Sequence, residues 1–129
     1  MKVYQRLAQL VTAINSDNTN EYWLNRYEDE LKRIMGTMPH GSGLDTDCVL
    51  DIEKSNNTKL VFNQSYHVMK DDYYTHWINF KVIITPNLGY DFDVKLVGNF
   101  SQRNNQDIKE YILDVYSEAL NREVKDYAC

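Results

Sequence analysis

The sequence has few cysteines, few prolines and no long apolar run. Its 129 residues include two cysteines, two prolines and five glycines. Cys48 and Cys129 are too few for a disulfide framework and match no zinc-ligand spacing, so a reducing cytoplasm fits this composition. No stretch approaches the roughly 18 apolar residues of a membrane span, and the first residues lack the continuous apolar core of a signal peptide. We therefore expect a cytoplasmic protein that has no membrane segment.

Positive charge is also scarce. Fourteen Lys and Arg stand against nineteen Asp and Glu, which gives a net charge of −5. Binding to phosphate backbones needs clustered cations that release counterions, so direct nucleic-acid binding is not expected. An acidic chain instead suits contact with a basic surface, such as the nucleic-acid groove of another protein, although this charge is also ordinary for solubility.

Length and hydropathy patterning predict one domain over residues 1–129, because a chain of this size buries a single core. Apolar residues at helical spacing predict a first helix over residues 2–15. A second helix is predicted to begin with a capping box of Asn18 and Glu21 and to end at Gly36. Its apolar stripe is formed by Trp23 or Leu24, Tyr27, Leu31, Ile34 and Met35.

Period-two alternation replaces the helical pattern after residue 46. It predicts strands over residues 47–53, 60–69, 76–85 and 90–97, separated by turn residues, and a third helix that opens at Asn104 and Asp107. No helix separates the strands, so the sheet should be an antiparallel meander. The fold class is therefore α+β, with two N-terminal helices, four antiparallel strands and a C-terminal helix, the helices packing on one face of the sheet.

The segment "TMPHGSGLDTDCVLDIE", residues 37–53, concentrates groups that do chemistry. Gly41 and Ser42, followed by acids on a strand, resemble the pattern with which nucleotidyltransferases hold magnesium against a triphosphate. A metal-dependent nucleotide or phosphate enzyme would use His40, Ser42, Asp45, Asp47, Asp51 and Glu53. Neither this spacing nor a metal set that includes Cys48 matches an established motif, so we expect no cofactor. The simpler interpretation is a glycine-rich turn between a helix and a strand.

The outer face of the predicted sheet is the alternative place for function. Tyr and Trp are enriched at interfaces, and acids on this face would meet a basic partner. The candidate partner-binding residues are Asp51, Glu53, His67, Tyr73, Tyr74, Trp77, Asp91 and Asp93. Two simpler interpretations stay open: the aromatic side chains form a partly buried cluster at the sheet rim, and the charges on the edge strands discourage aggregation.

About the last ninety residues resemble small proteins encoded by bacteriophages and other mobile elements. The resemblance rests on "MPHGSGLDTDCVLDIEKS", "KLVFNQSYHVMKDDYYTHWINFKVIITPNLGYDFDVKLVGN" and "IKEYILDVYSEALNREV". It implies a host cytoplasm and a role in binding host machinery. Its motifs are not tied to a known catalytic chemistry, so no catalytic residue is carried over from it. The hypothesis is a non-enzymatic counter-defence inhibitor, of anti-CRISPR or anti-restriction type, which docks an acidic surface on a host nucleic-acid-processing protein. A small enzyme and a structural component of a virion or element, with homo-oligomerisation as its sign, are the alternatives.

Overall fold

Three helices and four strands make up the part of the chain that the structure describes. The computed structural model describes residues 1–16, 18–71, 74–87, 91–100 and 105–124, and for residues 69–71 and 74–75 the backbone alone. In chain order the elements are α1 (Val3–Ile14), α2 (Glu21–Met35), β1 (Val49–Leu50), β2 (Leu60–Asp71), β3 (Tyr74–Pro86), β4 (Phe92–Gly98) and α3 (Gln106–Asn121).

The strands form one antiparallel sheet in the order β1-β2-β3-β4, and the helices pack on one of its faces. This arrangement confirms the predicted α+β class and meander. Alternate residues of β2 and β3, such as Phe62 and Val82, point inward and are fully buried. Tyr116 of α3 packs edge-on against Phe62, with ring centroids 5.7 Å apart. We call this covered side the inner face and the opposite side the outer face.

The helices pack through apolar side chains, and an ion pair also joins α1 to α2. Six residues of α1 are buried, whereas the buried residues of α2 are Leu31 and Ile34. The Arg6 guanidinium of α1 donates to both carboxylate oxygens of Glu30 in α2, at 2.5 and 2.8 Å. A bidentate pair of this kind fixes the orientation of two side chains, so it sets how α2 lies along α1.

Some element boundaries differ from the sequence prediction for local reasons. The N-cap of α2 is Asn20, whose side chain accepts from the Trp23 N–H at 3.1 Å, and not Asn18. The first strand is only two residues long, because the Asp51 side chain accepts from the Lys54 N–H at 3.2 Å and closes a turn. The predicted linker between the second and third strands, residues 70–75, is shorter in the structure, because β2 extends to Asp71 and β3 begins at Tyr74. Asn104 lies outside the described residues.

Candidate functional site

The outer face of the sheet is left exposed, because the helices pack on the inner face. Strand register places Val49, Asn63, Lys81 and Val97 in one row across all four strands. Val49 is 56% exposed, Val97 44% and Trp77 54%. These are three of the large apolar side chains that this chain presents to solvent, and all three belong to the outer face.

A concave region of about 600 Å³ lies on the outer face. Its polar and apolar groups come from strands β1 to β4 and from the segment before β1: Asp45, Asp47, Val49, Asn63, Ser65, Asn79, Lys81 and Val97 line it. We call this region the groove. The Ser65 hydroxyl donates to the Asn79 side-chain oxygen at 2.6 Å, which holds one pair of groove side chains in place.

Charge in the groove is mixed. Asp45 and Asp47 line the side beside β2, whereas Lys81 stands in the central row. The nearby Lys54 ammonium lowers the pKa of Lys81, so the turn after β1 brings a second cation to this row. The groove therefore offers carboxylates at its edge and an ammonium group near its centre.

His67 and Trp77 form a stacked pair at one end of the outer face. They are cross-strand partners, and their ring centroids are 4.5 Å apart with an interplanar angle of 17°. Stacking presents one side of the indole as a preformed flat apolar surface. Such rigid aromatic groups with a polar neighbour are typical anchors of protein interfaces.

The structure does not bring the predicted acids to this aromatic pair. Asp93 pairs with Thr85, which lies eight residues along β3 from Trp77, roughly 26 Å away at the usual strand rise. The Asp91 carboxylate accepts from the Phe92 N–H at 2.8 Å and so serves a turn, as Asp51 does. Glu53 is exposed in the same turn as Asp51.

Two predicted contact residues have no described side chain. Tyr73 lies outside the described residues. Tyr74 begins β3, where its backbone pairs with that of Asp71, and only its backbone is described. The aromatic part of the candidate site therefore consists, in the described residues, of His67 and Trp77.

The glycine-rich turn is an extension of the sheet edge. Gly41 and Leu44 exchange backbone hydrogen bonds of 3.0 Å in both directions, and Ser42 and Gly43 between them have φ angles of 52° and 102°. The Gly43 carbonyl accepts from the His67 N–H at 2.7 Å, and the Asp45 N–H donates to the Ser65 carbonyl at 2.9 Å. The turn thus pairs with β2 beyond the end of β1.

A buried polar network anchors this turn to the core. The Gln64 side chain donates to the backbone carbonyls of Pro39 and Asp45, both at 2.8 Å, and its oxygen accepts from the Tyr116 hydroxyl at 2.5 Å. Because the Tyr116 proton is used in this way, the Cys48 thiol, 3.1 Å from the Tyr116 oxygen, is the donor of the next bond. All hydrogen-bonding atoms of the Gln64 amide group are engaged, as buried polar groups require.

Burial keeps the Cys48 thiol and the Tyr116 hydroxyl of this network uncharged. It raises the pKa of the Cys48 thiol to about 11 and raises the pKa of the Tyr116 hydroxyl as well. A thiol with a raised pKa is a poor nucleophile and a poor metal ligand at neutral pH.

The residues that the enzymatic alternative would use, between His40 and Glu53, are spread along the edge of β2. Leu44, next to the glycine turn, pairs with Tyr66, whereas the Asp51 N–H donates to the Val61 carbonyl. Five residues of β2 separate these points, roughly 17 Å. Nδ1 of His40 lies 3.0 Å from the Met38 carbonyl. Within the ranges that the structure describes, no three His, Cys, Asp or Glu side chains converge as metal ligands would.

A second exposed surface lies on α2, and the sequence prediction missed it. Tyr22 is 59% and Trp23 47% exposed, with ring centroids 5.3 Å apart, and Trp23 stacks on Tyr27 at 6.1 Å. The Arg26 guanidinium lies 5.4 Å from the Tyr22 ring centroid and donates to the Tyr22 hydroxyl. We call Tyr22, Trp23, Arg26 and Tyr27 the α2 aromatic patch. The available signal was the spacing of Tyr22 and Arg26, which places them four residues apart on one side of the helix.

The helices of the described ranges are all too short or too polar to cross a membrane. Comparisons with protein-family models, with curated proteins and with solved structures find no match to this chain.

Proposed function

We propose that this protein is a non-enzymatic binding protein that docks on a partner protein through the outer face of its sheet. The observation that carries the proposal is the presence of exposed Val49, Trp77 and Val97 on the sheet face that the helices leave open, where Val49 and Val97 also line a groove of about 600 Å³. Protein interfaces combine apolar and aromatic anchors with hydrogen-bonding side chains in this way. Isolated exposed apolar residues need no explanation, but a group on one face does.

The partner that we propose is a host nucleic-acid-processing protein with a basic surface, which makes this chain a counter-defence inhibitor. Three features support this target class: the net charge of −5, the carboxylates of Asp45 and Asp47 along the groove, and the resemblance to small bacteriophage and mobile-element proteins. In such a complex Lys and Arg of the partner meet the groove edge, and Lys81 meets an acceptor near the centre.

The enzymatic alternative is not part of this proposal, because the glycine turn serves the sheet edge and Asp51 serves a turn roughly 17 Å away along β2.

The two tryptophans of the sequence supply a matched test. Tagged wild type, Trp77→Ala and Trp23→Ala are used to capture partners from a nuclease-treated lysate of a bacterial host. We expect one host protein to be retained by the wild type and by Trp23→Ala, and to be lost with Trp77→Ala. Loss of a buried interface tryptophan costs about 2 kcal/mol or more, which weakens binding at least about 30-fold. Circular dichroism melting checks that both variants fold.

Three results would each contradict a part of the proposal. Loss with Trp23→Ala and retention with Trp77→Ala would move the interface to the α2 aromatic patch. The captured host protein is then purified and bound to labelled nucleic acid. If it keeps this nucleic acid when an excess of the present chain is added, the inhibitor part of the proposal is wrong. Binding that survives an increase from 0.1 to 0.5 M salt unchanged would contradict the role of the groove carboxylates, since exposed charge pairs are screened.

A further inference from the structure

The far edge of β4 is open in the described sheet. β4 is the last strand in the sheet order, and β3 is its partner along Phe92 to Gly98. The strand has seven residues, contains no proline and exposes Asp93, Lys95 and Val97. An open edge of this length presents unpaired backbone N–H and C=O groups, which is the usual template for pairing with another strand.

On the outer face of β4, the side chains of Asp93 and Lys95 carry opposite charges. Asp93 and Lys95 point outward, while Phe92 and Val94 lie on the side of the core. Two identical strands that pair antiparallel are related by a two-fold axis. When the axis passes through one residue, the residue before it in one copy lies opposite the residue after it in the other copy. Such registers keep the helices of both copies on the same side, because directly paired residues share a face of the sheet.

Charge selects one of these registers. An axis through Asp93 places that carboxylate opposite its own copy, and an axis through Lys95 does the same with two ammonium groups. An axis through Val94 places Asp93 opposite Lys95 of the second copy, twice by symmetry. The same register sets Phe92 opposite Leu96, so apolar side chains meet on the inner face.

We propose that two copies of this chain associate by pairing their β4 edges about Val94, which joins the two sheets into one of eight strands. The pairing covers residues 91–97 and so uses nearly the whole of β4. The edge charges do not oppose this contact, because Asp93 meets Lys95 of the second copy and Asp91 lies opposite Val97. They oppose the two neighbouring registers, about Asp93 and about Lys95, and so favour the register about Val94 over these two.

A charge-swap series tests the register. The variants Asp93→Lys, Lys95→Asp and the double variant with both changes are compared with the wild type by sedimentation velocity from 1 to 200 µM. Each single variant places like charges opposite each other twice, so we expect the dimer dissociation constant to rise about tenfold or more. The double variant restores both opposite-charge pairs and should return to the wild-type dissociation constant.

Cross-linking at the axis supplies a readout that does not depend on charge. Directly opposed Cβ atoms in an antiparallel pair lie about 4.5–5.5 Å apart, close to what a disulfide needs. In a Cys129→Ser background, Val94→Cys should form a covalent dimer under mild oxidation, and Lys95→Cys should form much less.

A wild type that stays monomeric at 200 µM overturns the proposal. So does a dimer that is indifferent to the single charge reversals, or one that cross-links through position 95 and not through position 94. This proposal does not rest on the docking function. Trp77→Ala tests the docking face and leaves β4 unchanged, so one proposal can be refuted while the other stands.

Discussion

Replacing Gly43 with alanine should destabilise the protein more than replacing Gly41, although both glycines belong to the same turn. An alanine Cβ at position 43 would lie 2.5 Å from Cζ of Tyr66 and 2.8 Å from its hydroxyl oxygen. At position 41 a Cβ meets nothing within 4 Å. Both residues have positive φ, 102° and 85°, so both substitutions strain the backbone, and only the first also forces Tyr66 to move.

The magnitudes follow from these two terms. Left-handed backbone costs a residue with a Cβ about 1–2 kcal/mol, and overpacking adds about 1–3 kcal/mol. We therefore expect Gly41→Ala to lower the free energy of unfolding by about 1–2 kcal/mol and Gly43→Ala by about 2–5 kcal/mol. Gly36 has a φ of −66°, so Gly36→Ala should be neutral or slightly stabilising.

Urea unfolding followed by circular dichroism measures this series. Combining Gly43→Ala with Tyr66→Ala should recover the overpacking part, because the truncated side chain leaves room for the new methyl group. Equal losses at positions 41 and 43 would refute the contact with Tyr66. If neither substitution destabilises the fold, the glycine turn is not a structural extension of the sheet, and its residues become candidates for chemistry again.

Three further predictions concern the buried network and the helix pair. Burial raises the pKa of Cys48 to about 11, so unfolding above pH 9 releases its proton. The free energy of unfolding should therefore fall by about 2 kcal/mol between pH 9 and pH 11. Urea titrations at each pH measure this slope, and Cys48→Ala should reduce it. Tyr116→Phe removes the donor to Gln64 and should cost about 1–3 kcal/mol in urea unfolding, with a loss below about 0.5 kcal/mol contradicting the network. Glu30→Ala leaves the half-buried Arg6 unpaired and should cost about 1–2 kcal/mol, which calorimetric melting would detect and an unchanged melting temperature would contradict.

The helices and strands were predictable because each depends on the spacing of apolar residues within one short segment. Six of the twelve residues of α1 are buried, and they recur at helical intervals that the chain shows without any partner. The alternation in β2 and β3 likewise indicated which side chains share a face, and the register of His67 with Trp77 agrees with it. Boundaries were less certain, since Asn18 and Asn20 both precede a helical pattern and only the folded loop selects Asn20 as the cap.

The candidate site was predictable only in part. Alternation correctly placed His67 and Trp77 on the outer face. Alternation also assigned Asp51 to the first strand, which in the structure ends before it. An Asp side chain that closes a turn cannot be distinguished in the sequence from one that lies on a strand. The exposure of Trp23 was missed because an aromatic residue beside an apolar stripe is indistinguishable from a member of it until the helix has a neighbour.

By itself the sequence determined the α+β class, the order of the elements and the two faces of the sheet, because hydrophobic periodicity is a local property of the chain. Only the tertiary structure decided that Gln64 joins Pro39, Asp45 and Tyr116, the last of these 52 positions away in the sequence. It also decided that the glycine turn extends the edge of β2 and that exposed apolar residues of β1, β3 and β4 share one groove or face. Such convergence depends on strand register and turn geometry, which no short segment of the chain specifies alone.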